Sequence, residues 1–199
     1  MTIKLIVGLR NPGAAYAMTR HNVGAWFVEA LAQTKQLQFK SDKKLGGEWV
    51  RFDTDQAHSL LMMPLAFMNL NGASVRAMSQ FYGILPHEIL IVHDELDLVA
   101  GDVRLKTAGG HGGHNGLRDV IAQIQSNEFH RLRIGIGHPG HRDLVTDYVL
   151  SKPSVIDKEK IVAAIARALI EMPLIMAGNF ALAMDHLQDL RKTKVSSLK

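Results

Sequence analysis

The chain has 199 residues, 47% of them hydrophobic and 21% charged, which is the balance of a globular protein and not of a disordered one. It has no cysteine, so disulfides, thiolate nucleophiles and cysteine-ligated zinc or iron–sulfur centres are excluded. The net charge of +4 admits an acidic partner such as nucleic acid without requiring one.

Residues 3–8 form a short apolar run closing in Gly8, the pattern of a buried strand. Arg10-Asn11-Pro12-Gly13 follows as a turn, with Pro fixing φ and Gly allowing φ > 0. Asn22 has the character of a helix N-cap, and Val23, Trp26, Phe27, Ala30 and Leu31 then recur on one helical face. Residues 48–52 and 58–63 read as strands joined by a polar turn at 53–56. A helix is expected over 70–82, with Gly83 past its end. Strands are expected at 89–92, 103–106 and 132–136, and a helix opens from a Gly-rich loop at 117–124. A long amphipathic helix over 157–172 breaks near Pro173, and a last one over 180–190 runs into a basic, polar tail.

Strands and helices alternate with no break in composition across residues 1–199. This predicts one domain of the α/β class: a central mixed sheet flanked by helices, with functional residues at the carboxyl ends of strands. Residues 5–9 are too short for a signal sequence, and the longest uncharged stretch, 56–75, is interrupted by His58, Pro64, Asn69 and Asn71. A soluble cytoplasmic protein with no membrane partner is expected.

Four polar clusters stand out. The first runs from Gly8 through Asn11, Tyr16 and His21 to Gly24. Gly8 and Gly13 have the outer spacing of a phosphate loop, but Ala14-Ala15 replace its Lys-Ser/Thr, and Arg10 occupies the second glycine position of a dinucleotide fingerprint. Taken alone, the stretch is a tight turn and a helix cap. His21 lies just before a helix, where the positive end disfavours a protonated imidazole and leaves a neutral base.

The second cluster is Pro64-Leu65-Ala66-Phe67-Met68-Asn69-Leu70-Asn71-Gly72. Its bland reading is core residues and a cap; amides beside an aromatic and a Met also suit gripping a peptide. The third is His93-Asp94-Glu95-Leu96-Asp97, at a strand end. Glu95 and Asp97 read as solvated loop charges, and Asp94 as the better candidate to orient a histidine. The fourth, residues 106–117, sets His111 and His114 among four glycines, which allow close backbone approach to a ligand. The two histidines lack an obvious third metal ligand.

No Gly-x-Ser-x-Gly elbow is present. A hydrolase built on this chain would therefore use a base-activated water, with His as base, Asp as orienter and Asn amides as donors.

In their order and spacing these clusters resemble the bacterial peptidyl-tRNA hydrolase family. The matching stretches are GLRNPGAAYAMTRHNVG (8–24), PLAFMNLNG (64–72), VHDELDL (92–98), GGHGGHNGL (109–117) and FHRLRIGIGHPG (129–140). The resemblance implies cleavage of the ester between a peptide and the 3′ ribose of tRNA. It also implies an α/β globule with a mixed twisted sheet, active as a monomer without metal or other cofactor. By position it makes His21 the water-activating base, Asp94 the group that keeps it basic, and Asn11 the amide that separates N-blocked from free aminoacyl-tRNA. Tyr16, Phe67, Asn69 and Asn115 match substrate-contact positions, with Met68 and His114 lining the same crevice. Lys106 and Arg133 match a basic pair that grips the tRNA 5′-phosphate. Two positions depart from the pattern: Asn71 stands where many relatives have Ser, affecting a helix start, and Ala108 where they often have Gly, stiffening the loop beside Asn115. Some organellar relatives act as RNA-splicing partners instead, against which the intact His21, Asp94 and Asn11 speak. A generic amidohydrolase would show metal ligands or a nucleophile.

Overall fold

The computed structural model describes residues 2–53 and 58–196. Apart from Asp53, the polar turn expected at 53–56 lies outside the described residues. A seven-stranded sheet organises the chain: β1 (Leu5–Gly8), β2 (Lys40–Asp42), β3 (Gly47–Asp53), β4 (His58–Pro64), β5 (Ile89–Glu95), β6 (Val103–Thr107) and β7 (His130–Gly135), in the spatial order β2-β3-β4-β1-β5-β7-β6. The four middle strands β4, β1, β5 and β7 are parallel, and β2, β3 and β6 run antiparallel at the edges. The helices are α1 (Val23–Thr34), α2 (Asn71–Tyr82), α3 (Asn115–Ile124), α4 (Val145–Val149), α5 (Val155–Ile170), α6 (Met172–Met176) and α7 (Phe180–Ser196).

The apolar runs of the middle strands are buried on both faces, because alternate side chains feed two cores. Ile6, Leu61, Leu90 and Leu132 join α1 and α5 in one core; Val7, Met62 and Ile91 join α2 and α3 in the other. At β7 the pattern changes. Leu132 and Ile134 stay apolar, while Arg131 and Arg133 occupy the opposite face. Antiparallel pairing sets Lys106 opposite Arg131 and Arg104 opposite Arg133, so four cations share one face of this edge.

Several elements differ from the sequence reading. The short strand β2 and helix α4 were not legible in advance. Helix α5 starts at Val155, where the Ser154 hydroxyl accepts the Asp157 N–H at 3.1 Å. Pro173 sits in the first turn of α6, where a missing N–H costs little, so it opens a helix instead of ending one. Helix α7 extends beyond residue 190 to Ser196. Among the described residues, no helix is long and apolar enough to cross a membrane.

Candidate active site

The carboxyl ends of β1, β4 and β5 lead into the stretches that carry Asn11, Met68 and Asp94. Asp94 is 3% exposed and sits between two imidazoles. His21 Nδ1 lies 2.9 and 3.0 Å from its two carboxylate oxygens, and His114 Nε2 lies 2.8 Å from Oδ1. His114 Nδ1 accepts the Leu117 N–H at 3.2 Å, at the start of α3, so the His114 proton sits on Nε2 and points at Asp94. His21 likewise donates through Nδ1, which leaves its Nε2 without a hydrogen-bond partner among the described residues. The two rings are 4.9 Å apart. Behind them, His93 Nδ1 donates to the Asp94 carbonyl at 2.6 Å, its ring meets His114 edge-on at 5.0 Å, and its buried Nε2 has no partner among the described residues.

The electrostatics follow from this packing. Burial opposes ionisation of Asp94, but the two imidazoles and their hydrogen bonds outweigh it and hold the carboxyl well below its usual range. Burial also lowers the His21 value, yet the charge and hydrogen bond of Asp94 more than compensate, and the net shift is upward. Burial, helped by His114, pushes His93 down to about 3.

The neighbouring loops are spliced by amides. Asn22 Oδ1 accepts the Asn11 N–H and its Nδ2 donates to the Asn11 carbonyl, both at 2.8 Å. Asn22 stands at the N-cap position of α1 as expected, but its side chain makes no cap bond and instead clamps the β1–α1 connection onto itself. Asn11 Oδ1 accepts the Met68 N–H at 2.8 Å, which leaves its Nδ2 hydrogens unspent. Asn71 works as Asn22 does: its Oδ1 accepts the Arg10 N–H, and its Nδ2 donates to the carbonyls of Arg10, Ala66 and Phe67. Its effect is to join two loops, beyond the helix start expected of it.

These groups open onto a cavity of about 580 Å³ that gathers Asn11, His21, Met68, Asn69, Asp94, His114 and Asn115. Glu95, His111 and the Gly112-Gly113 turn also line it, together with Leu96, Arg118, Arg142 and Val145, Thr146, Val149 and Leu150 of α4 and its end. Arg118, Arg142 and the residues of α4 carry no mark in the sequence, whereas Glu95 and His111 belong to its polar clusters. A five-residue helix has no periodicity to read, and isolated apolar residues give no signal. Tyr16 and Phe67 meet edge to face at 5.9 Å but lie outside the cavity lining, and Phe67 is 51% exposed.

Lys106 and Arg133 also lie outside the cavity, on the cationic face of the β6–β7 edge. Lys106 is exposed. Arg133 Nε donates to Glu95 at 2.8 Å, so Glu95 is a paired anchor and not the solvated charge expected from sequence. Ala108 has φ +58°, in the left-handed region, and its carbonyl accepts from Arg131 at 2.6 Å. Arg131 thus fixes the root of the Gly-rich loop that carries His111 and His114.

Among the described residues, one group has ligand atoms close enough to share a metal ion: His21, Asp94 and His114, within 4.8 Å of one another. It does not include His111. A cation bound between these imidazoles and the carboxylate would compete with the two hydrogen bonds that Asp94 accepts from them.

A mixed sheet with a hydrogen-bonded His and Asp where the central strands end, bordering a cavity, defines an α/β protein. The profile of the family described as peptidyl-tRNA hydrolase matches residues 5–196. The chain is 58% identical to a peptidyl-tRNA hydrolase of Legionella pneumophila (strain Lens) over 93% of its own length and 98% of that protein. It is 52% identical to one of Coxiella burnetii (strain CbuG_Q212), covering 93% and 97%. A crystal structure of peptidyl-tRNA hydrolase from Acinetobacter baumannii matches with a TM-score of 0.90 at 48% identity, covering 93% and 94%. The chain belongs to the peptidyl-tRNA hydrolase family, and it is an enzyme.

Proposed function

We propose that the protein hydrolyses the ester joining an N-blocked peptide or amino acid to the 3′ end of tRNA, with His21 activating the water. The observation that carries this reading is the Asp94 carboxylate held on His21 Nδ1, which leaves Nε2 as an unspent proton acceptor on a residue that lines the cavity. Nε2 takes a proton from water as the oxygen bonds to the ester carbonyl carbon. The resulting imidazolium is stabilised by Asp94. Collapse of the tetrahedral intermediate breaks the bond between the acyl carbon and the ribose oxygen, and the proton returns to that oxygen.

Asn11 Nδ2 supplies a donor for the neutral amide of a blocked amino group. A free ammonium at the same place would find a donor where it needs an acceptor. Asn69 and Asn115 are the further polar contacts in the cavity, with Met68 and His114 as its walls, and Tyr16 and Phe67 extend the substrate surface beside it. Lys106 and Arg133 meet tRNA phosphate. The chain itself carries the groups this proton transfer needs, so the reading includes no metal or other cofactor. The reading takes the protein to be a cytoplasmic monomer.

The test is release of N-acetyl-amino acid from N-acetyl-aminoacyl-tRNA, with EDTA in parallel. Turnover in both tubes is expected. No turnover in either overturns the reading. Loss in EDTA, restored by a divalent ion, would instead give His21, Asp94 and His114 to a metal.

A further inference from the structure

Arg20 precedes the proposed base by one residue, yet its side chain reaches the chain around and after α4. The residue is 7% exposed. Its NH1 donates to Ser151 Oγ at 2.7 Å and the Lys152 carbonyl at 2.9 Å, with longer contacts to the carbonyls of Tyr148 and Ser151. The guanidinium carbon stands 4.0 Å from the centre of the Tyr148 ring, and the Arg20 N–H donates to the Ser151 carbonyl at 3.0 Å. Its Nε is buried without a partner, and among the described residues no carboxylate forms an ion pair with it.

A buried guanidinium without a counter-ion is costly. What offsets the cost here is the carbonyl-rich end of a short helix, where partial negative charge favours a cation. Helix α4 has five residues, too few to be stable by itself. Its second tether is the Tyr148 hydroxyl, which donates to the Ile136 carbonyl at 2.7 Å. Val145, Val149 and Leu150, held by these two tethers, are apolar residues of the lining of the same cavity.

We infer that Arg20 is a positioning residue for substrate specificity: it latches α4 beside the His21 turn and so shapes the apolar wall against which the side chain of the esterified amino acid packs. This rests on the proposed hydrolysis. It adds that an apolar acyl side chain is favoured over glycine, and that Arg20 sets the preference without touching substrate.

One tRNA charged with N-acetyl-leucine or N-acetyl-glycine tests this, with KM and kcat measured for wild type, Arg20→Lys, Arg20→Met and Tyr148→Phe. For Arg20→Met, KM on the leucyl substrate should rise about tenfold, the scale of a lost apolar pocket contact, while KM on the glycyl substrate moves less than about twofold. Arg20→Lys should recover part of the loss, and Tyr148→Phe should shift KM in the same direction by less. The kcat values and the acid limb of the pH profile should stay in place. Equal KM changes on both substrates would overturn the inference, leaving Arg20 to general stability. A fall in kcat with a moved acid limb would also overturn it, because Arg20 would then act through His21. Should Arg20→Met fail to fold, Arg20→Lys and Tyr148→Phe decide alone, and unchanged leucyl-to-glycyl ratios in both reject the inference. Absence of hydrolysis by wild type would overturn the proposed function and this inference together, whereas wild-type hydrolysis with unaltered discrimination in the variants overturns this inference only.

Discussion

Asp94 and Glu95 are consecutive residues of β5, and the pleat sends their side chains to opposite faces. Asp94 turns inward and accepts N–H groups from two imidazoles. Glu95 turns to the cationic edge and accepts the Arg133 guanidinium and the Asp97 N–H. The inner side chain is 3% exposed, so its interactions are barely screened and set the protonation of His21. The outer one is 16% exposed beside an arginine at 23%, where salt and solvent weaken the pair. Under the proposed function, one carboxylate of this strand end serves proton transfer, and its neighbour, which also borders the cavity, holds the Arg133 cation. Environment, more than residue type, separates the roles.

Breaking the inner side should give the largest effects. His21→Ala should lower kcat roughly 10²–10⁴-fold, the usual contribution of a positioned general base, with little change in substrate binding. Asp94→Asn should lower kcat on a similar scale, because the amide no longer fixes the proton on Nδ1. Its pH profile sharpens the point. In wild type the His21 value is raised, so activity should fall as pH drops through a value above the ordinary 6.5. Without the Asp94 charge only the lowering effect of burial remains, and the acid limb should move to lower pH. Matching profiles for the two proteins would remove Asp94 from this role.

Asn11→Ala comes next. Loss of one hydrogen bond to the blocked amino group should narrow the kcat/KM gap between N-acetylated and free aminoacyl-tRNA by about tenfold. An unchanged ratio would confine Asn11 to its loop-splicing bonds.

The outer side should respond to salt more than to chemistry. Lys106→Ala and Arg133→Ala should each weaken binding of whole tRNA at low salt and reduce the slope of log K against log salt by about one. Turnover of a short acylated fragment without the tRNA body should hardly change. Equal losses on both substrates would move these residues into the cavity or the fold.

The sequence announces the middle strands and most helices because their apolar periodicity is local and strong. It misses β2, whose Lys40, Ser41 and Asp42 owe their conformation to pairing with Trp49, Glu48 and Gly47. It misses α4 for the same kind of reason: five residues fold there because Arg20 and Tyr148 hold them. In the site, Asp94 and Asn11 are visible as polar residues at or just after strand ends and His21, Asn69 and Asn115 as polar residues at helix starts, and the resemblance orders them. What stays hidden is how the amides are used. Asn22 and Asn71 look like caps because local propensity favours caps, yet the side chain of Asn22 is spent within its own connection and that of Asn71 largely on the loop of Arg10. Arg20 and Arg131 look like surface charges, since nothing in a sequence marks a guanidinium that will be buried against carbonyls. The wall of Leu96, Val145, Val149 and Leu150 is assembled only by the tertiary fold.

The imidazole of His93 carries a cost that concerns the lifetime of the protein in acid. Its native value lies near 3, against an ordinary value of 6.5. Between those limits an unfolded chain binds a proton there and the native chain does not, so stability is full above about 6.5 and drains away as pH falls toward 3. His21, with its raised value, works in the opposite sense: its contribution is complete at low pH and fades as pH rises through its native value. The two histidines, both neighbours of Asp94, thus pull acid tolerance in opposite directions. Replacing His93 with Asn, which keeps a donor for the Asp94 carbonyl but cannot be charged, should flatten the decline of the urea midpoint between pH 7 and 4, while a decline as steep as that of wild type would place the acid-sensitive group elsewhere.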